Sequence, residues 1–137
     1  MNLRLQDALS NLADALITEL DGDACALSRV IGEVLILVTE RVPEGASLQQ
    51  GQGYLVSDFP QTGEVLRTKE PHALTLDDSV VDEAEARLLQ ELGFGALLMT
   101  PLELNGEVWG LVEVYRSTRR AFTEAEIRRA LELSRVA

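Results

Sequence analysis

Asn105-Gly106 separates two strand-like segments, GALLMTPLEL and EVWGLVEVYRS, and this hairpin restricts the chain more than any other feature. A two-residue type I′ turn needs positive φ at both central positions, which Asn and Gly tolerate. Counting outward from the turn pairs Leu104 with Glu107, Leu102 with Trp109, Thr100 with Leu111 and Leu98 with Glu113, all on one face. The other face carries Leu97, Met99, Pro101, Val108, Gly110, Val112 and Val114. Each buried aliphatic contributes roughly 1.5–3 kcal/mol, so a hairpin apolar on both faces requires a cover on both.

The flanking sequence supplies candidates for those covers. Leu5, Leu9, Leu12, Leu16 and Leu20, with Ala13 and Ile17, recur at helical spacing and predict a helix over 3–20 that ends at Asp21-Gly22-Asp23. Residues 24–31 and 34–42 read as a second hairpin about Gly32-Glu33, a type II′ turn with Gly at its first central position. Cys25, Leu27, Ile31, Val34, Ile36 and Val38 share one face, and Ala24, Ala26, Ser28 and Val30 oppose Leu35, Leu37 and Thr39 on the other. Residues 43–59 read as a long irregular connection, of a length that is usually functional or disordered, and Tyr54, Leu55, Val56 and Phe59 pack it onto something. A short helix near 62–68 is stopped by Glu70-Pro71, and 72–76 form a short strand. Asp82 with Glu85 resembles a capping pair for a helix reaching Leu92, with Gly93 as its left-handed stop. Thr123 and Glu126 form a capping box, with Phe122 and Ile127 as the hydrophobic staple. That last helix shows no stop before Ala137, which predicts a fragment of a larger protein cut inside a continuing helix.

This order predicts one α+β domain over residues 1–137, with a mostly antiparallel sheet and both terminal helices on one face. The 43–92 segment is left to cover the other face as a lid, beneath which a pocket can exist. The formal charge of −11, with Lys69 the only lysine, argues against nucleic acid. Arg116, Arg119 and Arg120 are read as solvated surface rather than an anion site. Cys25 is the sole cysteine, so no intrachain disulfide or Cys-based zinc site can form, and a cytoplasmic setting is the simplest reading. No apolar run approaches the roughly 20 residues that span a bilayer, and no signal-peptide pattern opens the chain.

Catalytic patterns are missing: no serine or cysteine lies in a nucleophile motif, and GQG at 51–53 lacks the context of a phosphate loop. The chain is therefore read as non-enzymatic and calls for no cofactor or metal. Cys25 is read as a small buried hydrophobe and His72 as a partly exposed structural histidine. Glu113 stands out, because an ionisable group in the middle of an apolar strand is costly to bury unless it pairs or meets a ligand. Tyr54 and Phe59 from the lid, with Trp109 and Glu113 from the sheet, are the candidate walls of a ligand pocket. Such an acidic wall favours a neutral or cationic ligand over a phosphate.

TGEVLRTKEPHALTLDD, GALLMTPLELNGEVWGLVEVY and FTEAEIRRALELSRVA, in this order, resemble a GAF domain over almost the whole chain. The resemblance implies a GAF-like (PAS/profilin-like) sheet of about six antiparallel strands, a small-molecule pocket under the lid, and dimerisation through the terminal helices. It implies a cytoplasmic sensor or regulatory module of a bacterial signalling protein, coupled to a neighbouring output domain. The alternative is a ligand-free dimerisation or protein-interaction module, whose pocket would be filled by Trp109, Met99, Tyr54 and Phe59. Leu9, Leu12 and Leu16 could equally pack on the sheet or form a dimer seam. Against the cyclic-nucleotide GAF signature, Tyr115-Arg116 replace Asn-Lys, Phe122 matches, and Glu126-Ile127 replace Asp-Glu. Arg116 and Glu126 retain opposite charges and are predicted to pair. Cys25 on the first strand does not match the lid cysteine that chromophore-attaching GAF domains use, and one cysteine cannot form the disulfide of the GAF methionine-sulfoxide reductases.

Overall fold

Both hairpin turns adopt the backbone their residues demand. Asn105 and Gly106 have φ of 51° and 84°, as a type I′ turn requires, and Gly32 takes φ 59° at the first central position of the other hairpin. The computed structural model describes residues 3–44, 48, 51, 53–78 and 82–136. Its elements are α1 (Leu3–Leu20), β1 (Ala24–Ile31), β2 (Val34–Arg41), β3 (Gly53–Leu55), α2 (Pro60–Thr68), β4 (His72–Thr75), α3 (Glu83–Leu92), β5 (Ala96–Leu104), β6 (Glu107–Arg116), α4 (Glu124–Leu133) and β7 (Arg135–Val136). The sheet order is β3-β2-β1-β6-β5-β4, antiparallel throughout, with β7 added in parallel beside β5. The fold is α+β, with α1 and α4 together on one face and the lid of α2 and α3 on the other.

The two faces bury separate cores. Leu9, Leu12, Leu16 and Leu20 of α1 pack on Leu27, Leu98, Val112 and Val114 of the sheet. The leucine stripe is thus used inside the chain's own core, and the alternative of a dimer seam on those residues is set aside. Beneath the lid, Leu37, Val65, Leu74, Leu89, Leu97, Met99 and Leu111 form the second core.

Bulges correct the sequence-derived register. Outward from the turn, Leu104 faces Glu107 and Glu103 faces Val108, but Leu102 then pairs with Gly110. Trp109 is the extra residue, so beyond it Met99, not Leu98, lies opposite Glu113, and Thr100 faces Val112. Because side chains alternate with period two, a one-residue insertion exchanges the faces of everything beyond it. A second bulge between Leu27 and Ser28 does the same to β2, and Thr39 opposes Leu27 rather than joining Leu35 and Leu37. Gly110 sits where the strands crowd: an added Cβ would lie 1.8 Å from the Ser28 carbonyl oxygen.

Two further expectations change. Part of the 43–59 connection pairs as β3 along β2, so it extends the sheet instead of forming loop alone. The last helix stops at Leu133 rather than running to Ala137, whose own placement lies outside the described residues. The Ser134 hydroxyl meets Thr100 Oγ1 at 2.8 Å, and the carbonyls of Ser134 and Val136 accept from the N–H groups of Glu103 and Asn105, each at 2.9 Å. β4 covers β5 only as far as Met99, so the later β5 edge has free backbone donors, and β7 satisfies them.

Arg116 closes the helix-bearing side. It is not solvated surface but 1% exposed. Nε donates to Asp21 O, Nη1 to the Arg120 and Ala121 carbonyls, and Nη2 to Leu20 O and to Glu126 Oε2, the last at 2.6 Å. The guanidinium also stacks on Phe122, 4.0 Å from the ring centre. Thr123 and Glu126 complete the capping box on α4. Burial pulls the Glu126 carboxyl pKa upward, but the Thr123 backbone N–H and Arg116 outweigh it and hold the pKa below its ordinary value. Arg119 and Arg120 remain on the surface, paired with Asp77 and Asp21.

Two substitutions test these constraints by urea denaturation. Arg116→Lys removes the five-donor fork and is expected to cost about 3–5 kcal/mol, the scale of a broken buried ion pair; a midpoint within error of the parent would refute the central role given to the guanidinium. Gly110→Ala forces β1 and β6 apart and should cost roughly 3 kcal/mol or more, whereas parent-like stability would show that the Ser28 carbonyl can move aside.

Candidate functional site

The lid does not close completely on the sheet. A cavity of about 50 Å³ lies between them, with Ser28 of β1, Met99 of β5 and Glu113 and Tyr115 of β6 on the sheet side. Phe59, Thr62 of α2 and Glu85 of α3 border it from the lid side, while Tyr54, expected in the lid, comes from the edge strand β3 of the sheet. Strand alternation explains the sheet wall: Leu111, Glu113 and Tyr115 point to the cavity while Val112, Val114 and Arg116 point to the helices.

Three of the four candidate pocket residues meet here. Tyr54 and Phe59 touch edge to face at 6.3 Å between ring centres, and Glu113 lies across from them on β6. Trp109 does not join them. The bulge turns it to the helix-bearing side, where it packs against that core and holds the Arg29 guanidinium 5.5 Å from its ring centre. The cluster of Trp109, Met99, Tyr54 and Phe59 that would fill the pocket is therefore not formed. The Arg116–Glu126 pair lies outside the cavity, among the carbonyls at the helix ends.

In the sequence, Glu85 has the spacing of half a capping pair, and its place in the cavity wall does not show. Asp82 does cap α3, its Oδ1 accepting from the N–H groups of Ala84 and Glu85. The Glu85 side chain does not return the bond; it is 3% exposed, lines the cavity, and neither oxygen accepts a hydrogen bond. His72 Nε2 stands 3.5 Å from Oε2, outside hydrogen-bond geometry. The signal was present in the spacing: Glu85 heads the stripe Leu88, Leu89 and Leu92, which turns inward at helical intervals.

The site is acidic and its wall is mostly apolar. Burial pushes the Glu113 carboxyl from 4.5 up to about 7, the Tyr115 hydroxyl pulls against this by donating to Oε2 at 2.7 Å, and the Glu85 charge raises it further. Burial also raises the Tyr115 and Tyr54 hydroxyls, with the Glu113 charge second in both. Cys25 lies on the opposite face, among the helix-side core, and burial pushes its thiol far above the reactive range. Among the described residues no group of three His, Cys, Asp or Glu side chains could hold a metal ion. No helix among them is long and apolar enough to cross a membrane.

The GAF domain family model matches residues 4–137. Solved structures share the fold at low identity. The blue-light-absorbing form of the Thermosynechococcus elongatus PixJ GAF domain superposes with TM-score 0.78 at 23% identity, covering 96% of this chain and 82% of that one. The GAF domain of a two-component sensor histidine kinase from Bacillus halodurans gives 0.76 at 19% identity, over 95% and 88%. A GAF domain/HD domain protein from Geobacter sulfurreducens gives 0.76 at 17%, over 93% and 85%. No curated protein matches the chain.

The Glu113 carboxyl sets a pH dependence whose sign is fixed. Its folded pKa is raised, so the full stability of the protonated form holds below pH 4.5 and is lost as pH rises through about 7. At about 1.4 kcal/mol per pKa unit, the ionised form costs roughly 3 kcal/mol. Glu113→Gln should therefore gain stability over the parent as pH is raised from 5 to 8, in paired denaturation curves; a pH-independent difference would show that Glu113 titrates normally.

Proposed function

The chain belongs to the GAF domain family, and on that premise we propose that it is a non-catalytic sensory module of a bacterial signalling protein. It binds a small molecule between sheet and lid and passes the bound state to an output domain through α1 and α4. The observation that carries this reading is the cavity with two carboxylates in its wall, Glu85 and Glu113, in a region otherwise packed with leucines. A chain under pressure only to fold gains nothing from burying Glu85 where neither of its oxygens accepts a hydrogen bond among the described residues. Related folds occur in a sensor histidine kinase and in a GAF/HD protein, which fits a module attached to an output domain. The setting is cytoplasmic, in keeping with a single buried thiol.

A second reading, a ligand-free interaction module, draws on Ile31 and Leu55, large apolar side chains that are half exposed at the same end of the sheet. Dimerisation through the terminal helices would have to use their outer faces, since the leucines of α1 are occupied.

Native mass spectrometry of the chain as purified separates the two. The sensor reading expects a bound mass that is lost on denaturation and is weakened in a Glu85→Gln, Glu113→Gln double variant. A dimer with no adduct, unchanged after incubation with cell metabolite extract, would favour the interaction module and remove the sensor reading.

A further inference from the structure

We propose that the cavity is a recognition site for a small organic cation, a protonated amine held between Glu85 and Glu113. The proposal rests on the sensor reading and adds the chemical class of the ligand.

The first argument is a comparison within the molecule. Glu85 and Glu126 occupy the same place, the third residue after the N-cap, in α3 and α4. Glu126 behaves as that position predicts: its Oε1 accepts from the Thr123 N–H at 2.8 Å, and Arg116 meets its other oxygen. Glu85 forgoes the equivalent bond to the chain at Asp82 and enters the cavity, where neither oxygen accepts a hydrogen bond among the described residues and His72 stands 3.5 Å from one of them. A carboxylate that is buried without hydrogen bonds costs several kcal/mol in general, and here a favourable alternative was within reach. The geometry therefore indicates a partner that is supplied from outside the chain.

The second argument is charge. Glu113 opens onto the same cavity, and none of the described residues lining the cavity is Lys, Arg or His. His72 approaches Glu85 at 3.5 Å but does not line the cavity, so it answers at most one of the two carboxyl groups. The chain carries −11 in all, which adds to an attractive field for cations. Anions, phosphates included, meet hydroxyls but no cationic side chain among the described residues of the wall.

The third argument distinguishes an organic cation from a metal ion. No set of three His, Cys, Asp or Glu ligands assembles among the described residues. Apart from the hydroxyls of Ser28, Thr62 and Tyr115, the rest of the wall is aromatic and aliphatic, with Tyr54, Phe59, Met99 and leucines, and its rings and thioether suit an alkylammonium. The volume of about 50 Å³ limits its size. A cavity of this size calls for amine probes of only a few heavy atoms.

The test compares propylammonium and ethanolamine with the neutral 1-butanol and ethylene glycol, on the intact chain at pH 8. Thermal unfolding and the Met99 methyl resonance are both read. The amines should raise Tm and shift the Met99 signal saturably, the neutral probes should do so at least tenfold more weakly, and Glu85→Gln or Glu113→Gln should each weaken amine binding tenfold or more. Because Glu85→Gln removes a buried charge and Glu113→Gln a half-buried one, both variants are expected to fold, and Tyr115→Phe serves as a third that leaves the charges in place and should retain the amine preference. Saturable binding of neutral probes without amine preference would overturn the cation assignment and leave the sensor reading standing. If neither set moved Tm or Met99, and the native chain carried no adduct, both would fall.

Discussion

Five N–H groups on one buried guanidinium meet five oxygens at the end of the sheet, and the arrangement of the helices follows from that. Arg116 takes two carbonyls from the C-terminus of α1, two from the connection after β6, and the Glu126 carboxylate at the start of α4. The last carbonyls of a helix have no intrahelical donor and carry the negative end of its dipole, so a cation is the natural complement. Arginine alone among the side chains brings five donors in a rigid plane. With α1 and α4 fixed to the same face, the residues between β2 and β5 are left to cover the other.

Local chemistry was therefore legible in the sequence wherever one residue type met a unique demand. Asn105-Gly106 announced its turn, Thr123 and Glu126 their capping box, and the opposite charges of Arg116 and Glu126 their pairing. The leucines of α1 marked a buried stripe but could not say what would bury it, since sheet and partner helix ask for the same spacing.

What escaped was set by position relative to other segments. No residue type identifies Trp109 as a bulge. The insertion arises where β6 must pass both the Leu102 end of β5 and the Ser28 carbonyl of β1, a meeting that spans most of the chain. The same holds for β3 and β7, whose few residues have little strand character of their own and pair because an open edge is beside them. Glu85 is ambiguous for a different reason: its position after Asp82 fits two roles, and only the tertiary fold shows that the inward one prevails.

Tyr115 and Arg116 are neighbours in the chain, with Cα atoms about 3.8 Å apart across one trans peptide. One reaches into the cavity and holds the Glu113 carboxylate; the other reaches the opposite way and holds the ends of both terminal helices. The distance from the cavity wall to the helix ends is thus a single peptide plane, with no relay of intervening side chains. A tilt of that plane would move both side chains together, so the end of β6 joins the cavity wall and the helix ends covalently.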